Sequence, residues 1–253
     1  MGRLENKHAV VTGATSGIGR AVAVMFAKEG AEVVATGRSA EKGEALVKEI
    51  EAAGGTVHFI SANLRDKADI KKVYDFAMEK MGKVDVLFNC AGVLVHKPYL
   101  EQTDEDLQLV FETNFRAYSW MMQQFIPEMV EIGGGSIVNV ASISSIWPEL
   151  NSYYYGAMKA AVSNLSRNVA KEFAPKKVRV NCLLPGPIMT GMTPEAITQN
   201  PEALAAFEDS MCLLGRIGVP DDIAYGAVYL ASDETAFMTG QQIAIDGGVC
   251  VSN

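Results

Sequence analysis

Tyr155 and Lys159 stand four residues apart in "YGAMK", and Ser142 and Ser144 lie just upstream in "VASISS". On a helix, residues i and i+4 share a face, so an ammonium can sit beside the Tyr155 phenol. The adjacent Tyr153 and Tyr154 pair instead with Ala157 and Met158. A free phenol has a pKa of ~10, and a nearby cation favours the phenolate. Such a pair can act as general acid/base between an alcohol and a carbonyl. A serine hydroxyl at the end of the preceding strand can donate to the carbonyl oxygen and stabilise charge developing there. Taken singly, a Tyr–Lys pair is also a common surface arrangement, and a lone serine is also a cap or turn residue. What separates the readings is the set of elements that carries them.

Short β-rich runs alternate with longer helical patterns. The strands expected are 8–13, 31–37, 56–62, 84–91, 135–142, 178–185 and 241–247, with helices near 17–29, 41–53, 67–81, 104–131, 152–173 and 220–231. Most of the strand runs are apolar throughout, which suits a sheet covered on both faces. Regular strand–helix alternation predicts right-handed crossovers and a parallel sheet. The fold class expected is α/β: a single Rossmann-like, doubly wound, seven-stranded parallel sheet with helices on both faces, filling residues 1–253 as one domain. Ligands of such sheets lie beyond the C-terminal strand ends, where Ser142 and Tyr155 would meet. Residues 186–214 interrupt the alternation and carry Met189, Met192, Met211 and Leu214. They read as a substrate lid, with an ordinary helical excursion as the plainer alternative.

"TGATSGIGR" joins the first strand to the first helix, with Gly13, Gly17 and Gly19 in a GxxxGxG spacing. Glycines let the backbone turn sharply and approach a pyrophosphate, whose charge the helix N-terminus meets. A structural turn is the alternative for glycines alone. An acid at the end of the second strand would bind the ribose 2′-hydroxyl of NAD. Here Gly37 stands in its place, followed by Arg38 and Ser39. An arginine with no neighbouring acid suits a 2′-phosphate, so NADP is preferred over NAD.

With these residues in view, the chain resembles the short-chain dehydrogenase/reductase family over essentially its full length, from "TGATSGIG" to the terminal "IDGG". "NCAG" (89–92) resembles the family's Asn-Asn-Ala-Gly segment, "NFRA" (114–117) its helix-borne asparagine, and "PGPIMT" (185–190) the segment along the nicotinamide. Ser142 and Tyr155 have the family's usual separation. The resemblance implies that Tyr155 is the acid/base and that Ser142 orients and polarises the substrate oxygen. It implies that Lys159 lowers the tyrosine pKa and contacts the nicotinamide ribose, and that Asn114 holds a water linking Lys159 to solvent. By the same token the cofactor would be held by Gly13, Thr15, Ser16, Gly17, Ile18 and Gly19. Arg38, Ser39, Asn63 and Leu64 would follow at the adenosine end. Asn89, Ala91, Gly92, Tyr155, Lys159, Pro185, Gly186, Ile188 and Thr190 would serve the nicotinamide half. Ser142, Ser144, Tyr155, Met189 and Met192 would line the substrate pocket. Two positions depart from the pattern. Asn63 replaces the usual aspartate at the adenine, where its side-chain oxygen can still accept. Cys90 replaces the second asparagine of the "NCAG" segment, where little functional consequence is expected.

The remaining composition narrows the partners. The net charge of −8 (22 Lys+Arg against 30 Asp+Glu) disfavours nucleic acid and anionic membranes, which need a basic face. Cys90, Cys182, Cys212 and Cys250 include no CxxC pair and read as free thiols of a reducing compartment; with three scattered histidines, no metal site is expected. No run approaches the ~18 apolar residues of a membrane span, so a cytoplasmic location is expected. A hydrophobic secondary alcohol or ketone, such as a hydroxysteroid or bile acid, fits the methionine-rich segment and Trp147, Leu150, Tyr153 and Tyr154. The competing substrate is a 3-oxoacyl group on an acyl carrier protein, which needs a basic docking surface where this chain has Glu128 and Glu131. A non-catalytic nucleotide sensor would be expected to lack Tyr155 or Lys159. The apolar helix "IAYGAVYLA" and the last strand predict a homo-oligomer, a tetramer or a dimer.

Overall fold

The computed structural model describes residues 2–193 and 198–251. Seven strands, all parallel, form one sheet in the order β3-β2-β1-β4-β5-β6-β7. They are β1 (His8–Thr12), β2 (Glu32–Gly37), β3 (Thr56–Ser61), β4 (Val86–Asn89), β5 (Gly135–Val140), β6 (Val178–Pro185) and β7 (Gln242–Ile245). The interior strands are buried on both faces, as their unbroken apolar runs require.

The helices are α1 (Gly17–Lys28), α2 (Ala40–Ala52), α3 (Lys67–Met81), α4 (Asp104–Phe111), α5 (Ala117–Glu131), α6 (Tyr153–Phe173), α7 (Pro201–Met211) and α8 (Pro220–Ala231). The starts of α2, α3, α4 and α7 follow capping chemistry. Asp66 accepts from Ala68 N at 2.9 Å, and Thr103 and Asp106 form a reciprocal capping box. Asn200 caps α7 with Pro201 at its first position. On one face α1 and α8 pack over Val11, Val33, Phe88 and Leu183. On the other, α3 and α5 cover Val10, Val34, Leu87, Ile137 and Val180. A third cluster, with Tyr118, Ala141, Cys182, Leu184 and Cys212, lies nearer the functional end of the sheet.

One expectation is corrected. The helix expected over 104–131 is broken by a π-helical turn at Glu112–Arg116, which adds a residue between α4 and α5. The segment 186–214, expected as a substrate lid or an ordinary helical excursion, carries α7; its residues 194–197 lie outside the described residues. The strand order reverses between β1 and β4, the crevice at which open α/β sheets bind ligands.

Candidate active site

The loop after β1 is drawn tight by its neighbours. Ala14 N donates to Thr36 O at 3.0 Å, and Thr12 Oγ1 accepts from Cys90 N and Ala91 N at 2.9 and 3.2 Å. Gly13 adopts φ +67°, and a Cβ there would lie 2.9 Å from Ala91 N; one on Gly19 would lie 2.4 Å from Gly13 O. Only glycine permits this packing. Ser16 and the first turn of α1 follow, with no side-chain cap and no acid, so the turn's amides are left for an anion. A Cβ on Gly17 would lie 3.2 Å from Thr190 Cγ2, which sets the segment 185–190 across the mouth of the loop. That segment is fixed by Gly186 N donating to Ile245 O and Met189 N donating to Gly218 O. This cradle fits a dinucleotide pyrophosphate.

At the adenosine end, Thr15 packs against Gly37, Ser39 caps α2, and the Arg38 guanidinium is exposed with no partner among the described residues. Asn63 is exposed at the end of β3. Its Oδ1 already accepts from Arg65 N at 3.3 Å, leaving one lone pair and the amide hydrogens for a ligand. Leu64 is buried. The Asn89 side chain turns inward and Nδ2 donates to Asn139 at 2.9 Å, in a chain that continues to Ser166. Only its backbone lies along the cleft with Ala91 and Gly92.

The four residues expected to carry chemistry come from three elements at one sheet edge. Ser142 follows β5, Asn114 lies in the π turn, and Tyr155 and Lys159 occupy the start of α6. The π turn turns Asn114 inward, fully buried, where its amide brackets Val93: Oδ1 accepts from Val93 N and Nδ2 donates to Val93 O, both at 2.8 Å. The Lys159 ammonium is buried, 2.7 Å from Val140 O, 3.3 Å from Tyr118 Oη and 5.6 Å from the Tyr155 ring centre. Burial lowers its pKa to about 8.

The expected depression of Tyr155 does not follow from this arrangement. Burial pushes its phenol up to about 12, opposed by the Ser142 hydroxyl and reinforced by Glu149. The ammonium faces a carbonyl and another phenol and makes no hydrogen bond to the Tyr155 hydroxyl among the described residues, so it does not offset the desolvation. At neutral pH the Tyr155 phenol is therefore protonated. Ser142 Oγ donates to Ser144 Oγ and accepts from Ser144 N, both at 3.1 Å, and Ser144 donates to the exposed Glu149 carboxylate. Sequence reasoning missed Thr12, Tyr118 and Glu149. Thr12 ends a strand that reads as core, Tyr118 reads as helix packing, and Glu149 reads as surface charge.

The pocket residues divide. Met192 is exposed and Met189 half-buried, with Ile146 and Leu150 exposed on the segment between Ser142 and Tyr155. Met211, in the segment expected as a lid, packs on the cluster around Cys182. Tyr153 stacks edge-on against Tyr99 with centroids 5.1 Å apart. No group of three or more candidate metal ligands occurs among the described residues.

Residues 13–250 match the family model described as Enoyl-(Acyl carrier protein) reductase, a short-chain dehydrogenase/reductase model. The chain belongs to the short-chain dehydrogenase/reductase family. As such it is an NAD(P)-linked oxidoreductase acting on CH–OH groups. This short-chain dehydrogenase/reductase is 39% identical over 249 residues to the 3-oxoacyl-(acyl-carrier-protein) reductase FabG of Thermotoga maritima, covering 98% of this chain and 100% of that protein. A 7α-hydroxysteroid dehydrogenase crystallised with NADH and 7-oxo glycochenodeoxycholic acid superposes with a TM-score of 0.91 at 33% identity, covering 98% and 95% of the two chains. A gluconate 5-dehydrogenase candidate from Beutenbergia cavernae, holding NADP at low occupancy, gives 0.92 at 36% identity over 98% of each chain. The three names cover three substrate classes and both dinucleotides.

Proposed function

We propose that the protein reduces a hydrophobic ketone to a secondary alcohol with NADPH, or runs the reverse oxidation. The convergence of Ser142, Tyr155 and Lys159 at the cleft edge is the observation that carries this reading. The dinucleotide supplies or accepts the hydride. Ser142 would turn its hydroxyl from Ser144 to the ketone oxygen and hold it beside Tyr155. The Tyr155 phenol would then deliver its proton to that oxygen as negative charge builds there. A phenol held at about 12 stays protonated at neutral pH, the state from which a ketone oxygen can be given a proton. Lys159 would present an N–H to the ribose side, and Asn114 would keep the loop at Val93 in place. The cofactor residues would be those of the cradle, the Arg38–Ser39 turn, Asn63, the Ala91–Gly92 backbone and the segment Pro185–Thr190.

The free guanidinium of Arg38 beside Gly37 supports NADP over NAD. Arg38→Ala is expected to weaken NADP by about 10- to 100-fold, the range of one or two charge-assisted hydrogen bonds, and NAD by less than about 3-fold. Equal losses in a fluorescence titration of the two dinucleotides would remove the 2′-phosphate assignment.

The apolar residues Ile146, Leu150 and Met192 around the site support a bulky apolar substrate, the hydroxysteroid or bile-acid class. The acyl-carrier reading is the second, favoured by the Thermotoga maritima relative. A panel of steroid ketones, keto bile acids, an acetoacetyl thioester and small diketones tests both, with NADPH oxidation as readout. Preferred turnover of a steroid ketone supports the first reading, and preference for the thioester replaces it with the second.

We further infer a one-domain, cytoplasmic homo-oligomer. No described helix is long and apolar enough to cross a membrane. Tyr225 (60% exposed) and Tyr229 (39%) on the outer face of α8, with Phe237 beyond it, offer an apolar surface for a second copy. Light scattering is expected to give two or four times the chain mass; a monomer at micromolar concentration would overturn this.

A further inference from the structure

Lys159 is held from behind by a residue that the reading above does not use. Tyr118, on α5 one turn beyond Asn114, is 1% exposed. Its hydroxyl lies 3.3 Å from Lys159 Nζ and 3.3 Å from Val140 O, while Nζ lies 2.7 Å from that same carbonyl. The Tyr118 ring centre is 5.1 Å from Nζ. Three polar atoms, from α5, α6 and β5, thus close a triangle beneath the cleft. The hydroxyl accepts from the ammonium and donates to the carbonyl, so both of its hydrogen-bonding functions are used.

A packing role alone would be met by phenylalanine. A buried hydroxyl costs free energy unless it is bonded, and here its partners are the site lysine and the carbonyl that also holds that lysine. The other titratable groups facing Nζ are Cys90 after β4, Cys182 on β6 and Tyr155 on α6. Burial pushes both thiols up to about 11 and the Tyr155 phenol up to about 12, so all three are neutral at pH 7. Among the described residues no anion faces the ammonium; two neutral oxygens do. An ammonium has three N–H groups, and these oxygens take two. Gly92 is the neighbour of Nζ on the loop after β4: an added Cβ there would lie 3.8 Å from Nζ and 3.5 Å from Asn114 Oδ1.

We propose that Tyr118 is a positioning residue for Lys159: with the Val140 carbonyl it pins the ammonium against the sheet and leaves the third N–H directed into the cofactor cleft. The anchor follows from this geometry. Its catalytic consequence rests on the proposed function. Removing the hydroxyl takes an acceptor from the charged lysine and little from the neutral amine, so the lysine should lose its proton at lower pH.

The test is a proton titration of the folded chain labelled with 13Cε-lysine and followed by NMR. The Lys159 resonance is assigned by its loss in Lys159→Met. In the unmodified chain its midpoint is expected near about 8. In Tyr118→Phe it should move to lower pH while the thermal midpoint stays close to that of the parent. NADPH fluorescence titrations should show about 3- to 10-fold weaker binding at neutral pH, the worth of one hydrogen bond, with the alkaline decline starting earlier. Ketone kcat should fall more than ketone KM rises. An unmoved Lys159 midpoint in folded Tyr118→Phe would overturn the proposal, as would a pH-independent loss of affinity that tracks a fall in stability. Should Tyr118→Phe not fold, 3-fluorotyrosine at position 118, a weaker acceptor, is read by the same midpoint with the same two outcomes. A shifted midpoint in a chain that binds no dinucleotide would sink the proposed function and leave the anchor standing.

Discussion

Tyr155→Phe is expected to lower ketone turnover by about 10³-fold, within the range of one general acid, while NADPH affinity stays within about 2-fold. The ring, and with it the contacts of α6, remains; only the ionisable hydroxyl is removed. The loss should appear in kcat as well as kcat/KM, since proton delivery belongs to the transition state and not to binding. A variant that kept a tenth or more of the parent rate would take the acid away from Tyr155. Ser144 and Glu149, already joined by a hydrogen bond at the same edge, would then be the groups to examine.

Lys159→Met is expected to abolish turnover and raise stability. The buried ammonium titrates at about 8 in the fold against 10.5 as the reference for a free lysine. At about 1.4 kcal/mol per pH unit, that gap places the cost of keeping it charged at about 3 kcal/mol. The fold binds fewer protons than the unfolded chain between those two values. The penalty is therefore fully present below pH 8, shrinks as pH rises, and is gone by about 10.5. Methionine fills much of the same space, and Val140 O and the Tyr118 hydroxyl keep each other as partners at 3.3 Å. The thermal midpoint of the dinucleotide-free chain should rise by about 5 °C at pH 7 and converge on the parent by pH 10. A variant that melts below the parent at pH 7 would show that Lys159 contributes more by its contacts than its desolvation costs.

The sheet was legible because its strands are apolar throughout and its helices amphipathic, and because turn and cap residues separate them. The phosphate cradle and the Ser142–Tyr155–Lys159 group were legible because each depends on residue type at a fixed spacing. What escaped depends on tertiary placement. The apolar pattern runs unbroken through 104–131, so nothing in it marks the π turn at Glu112–Arg116. The α7 helix did carry a signal, Asn200 before Pro201, that its Pro- and Gly-rich surroundings obscured. The expected lowering of the Tyr155 pKa failed because sequence gives the i,i+4 proximity of an ammonium but not the direction in which it points. The motif around Asn89 also gave no sign that its side chain closes a buried chain with Asn139 and Ser166.

The π turn also bears on which changes in chain length this protein can survive. One surplus residue between α4 and α5 advances the azimuth of everything that follows by roughly 100° relative to an unbroken α-helix. Excising one residue from 112–116 would regularise the helix and improve its local hydrogen bonding. With the splice at 115 or 116 it would also swing Asn114 away from Val93, or Tyr118 away from Lys159, because the two then stand on opposite sides of it. A deletion that is conformationally favourable would thus be functionally null, so lineages of this chain should tolerate point changes in the turn far better than any change in its residue count.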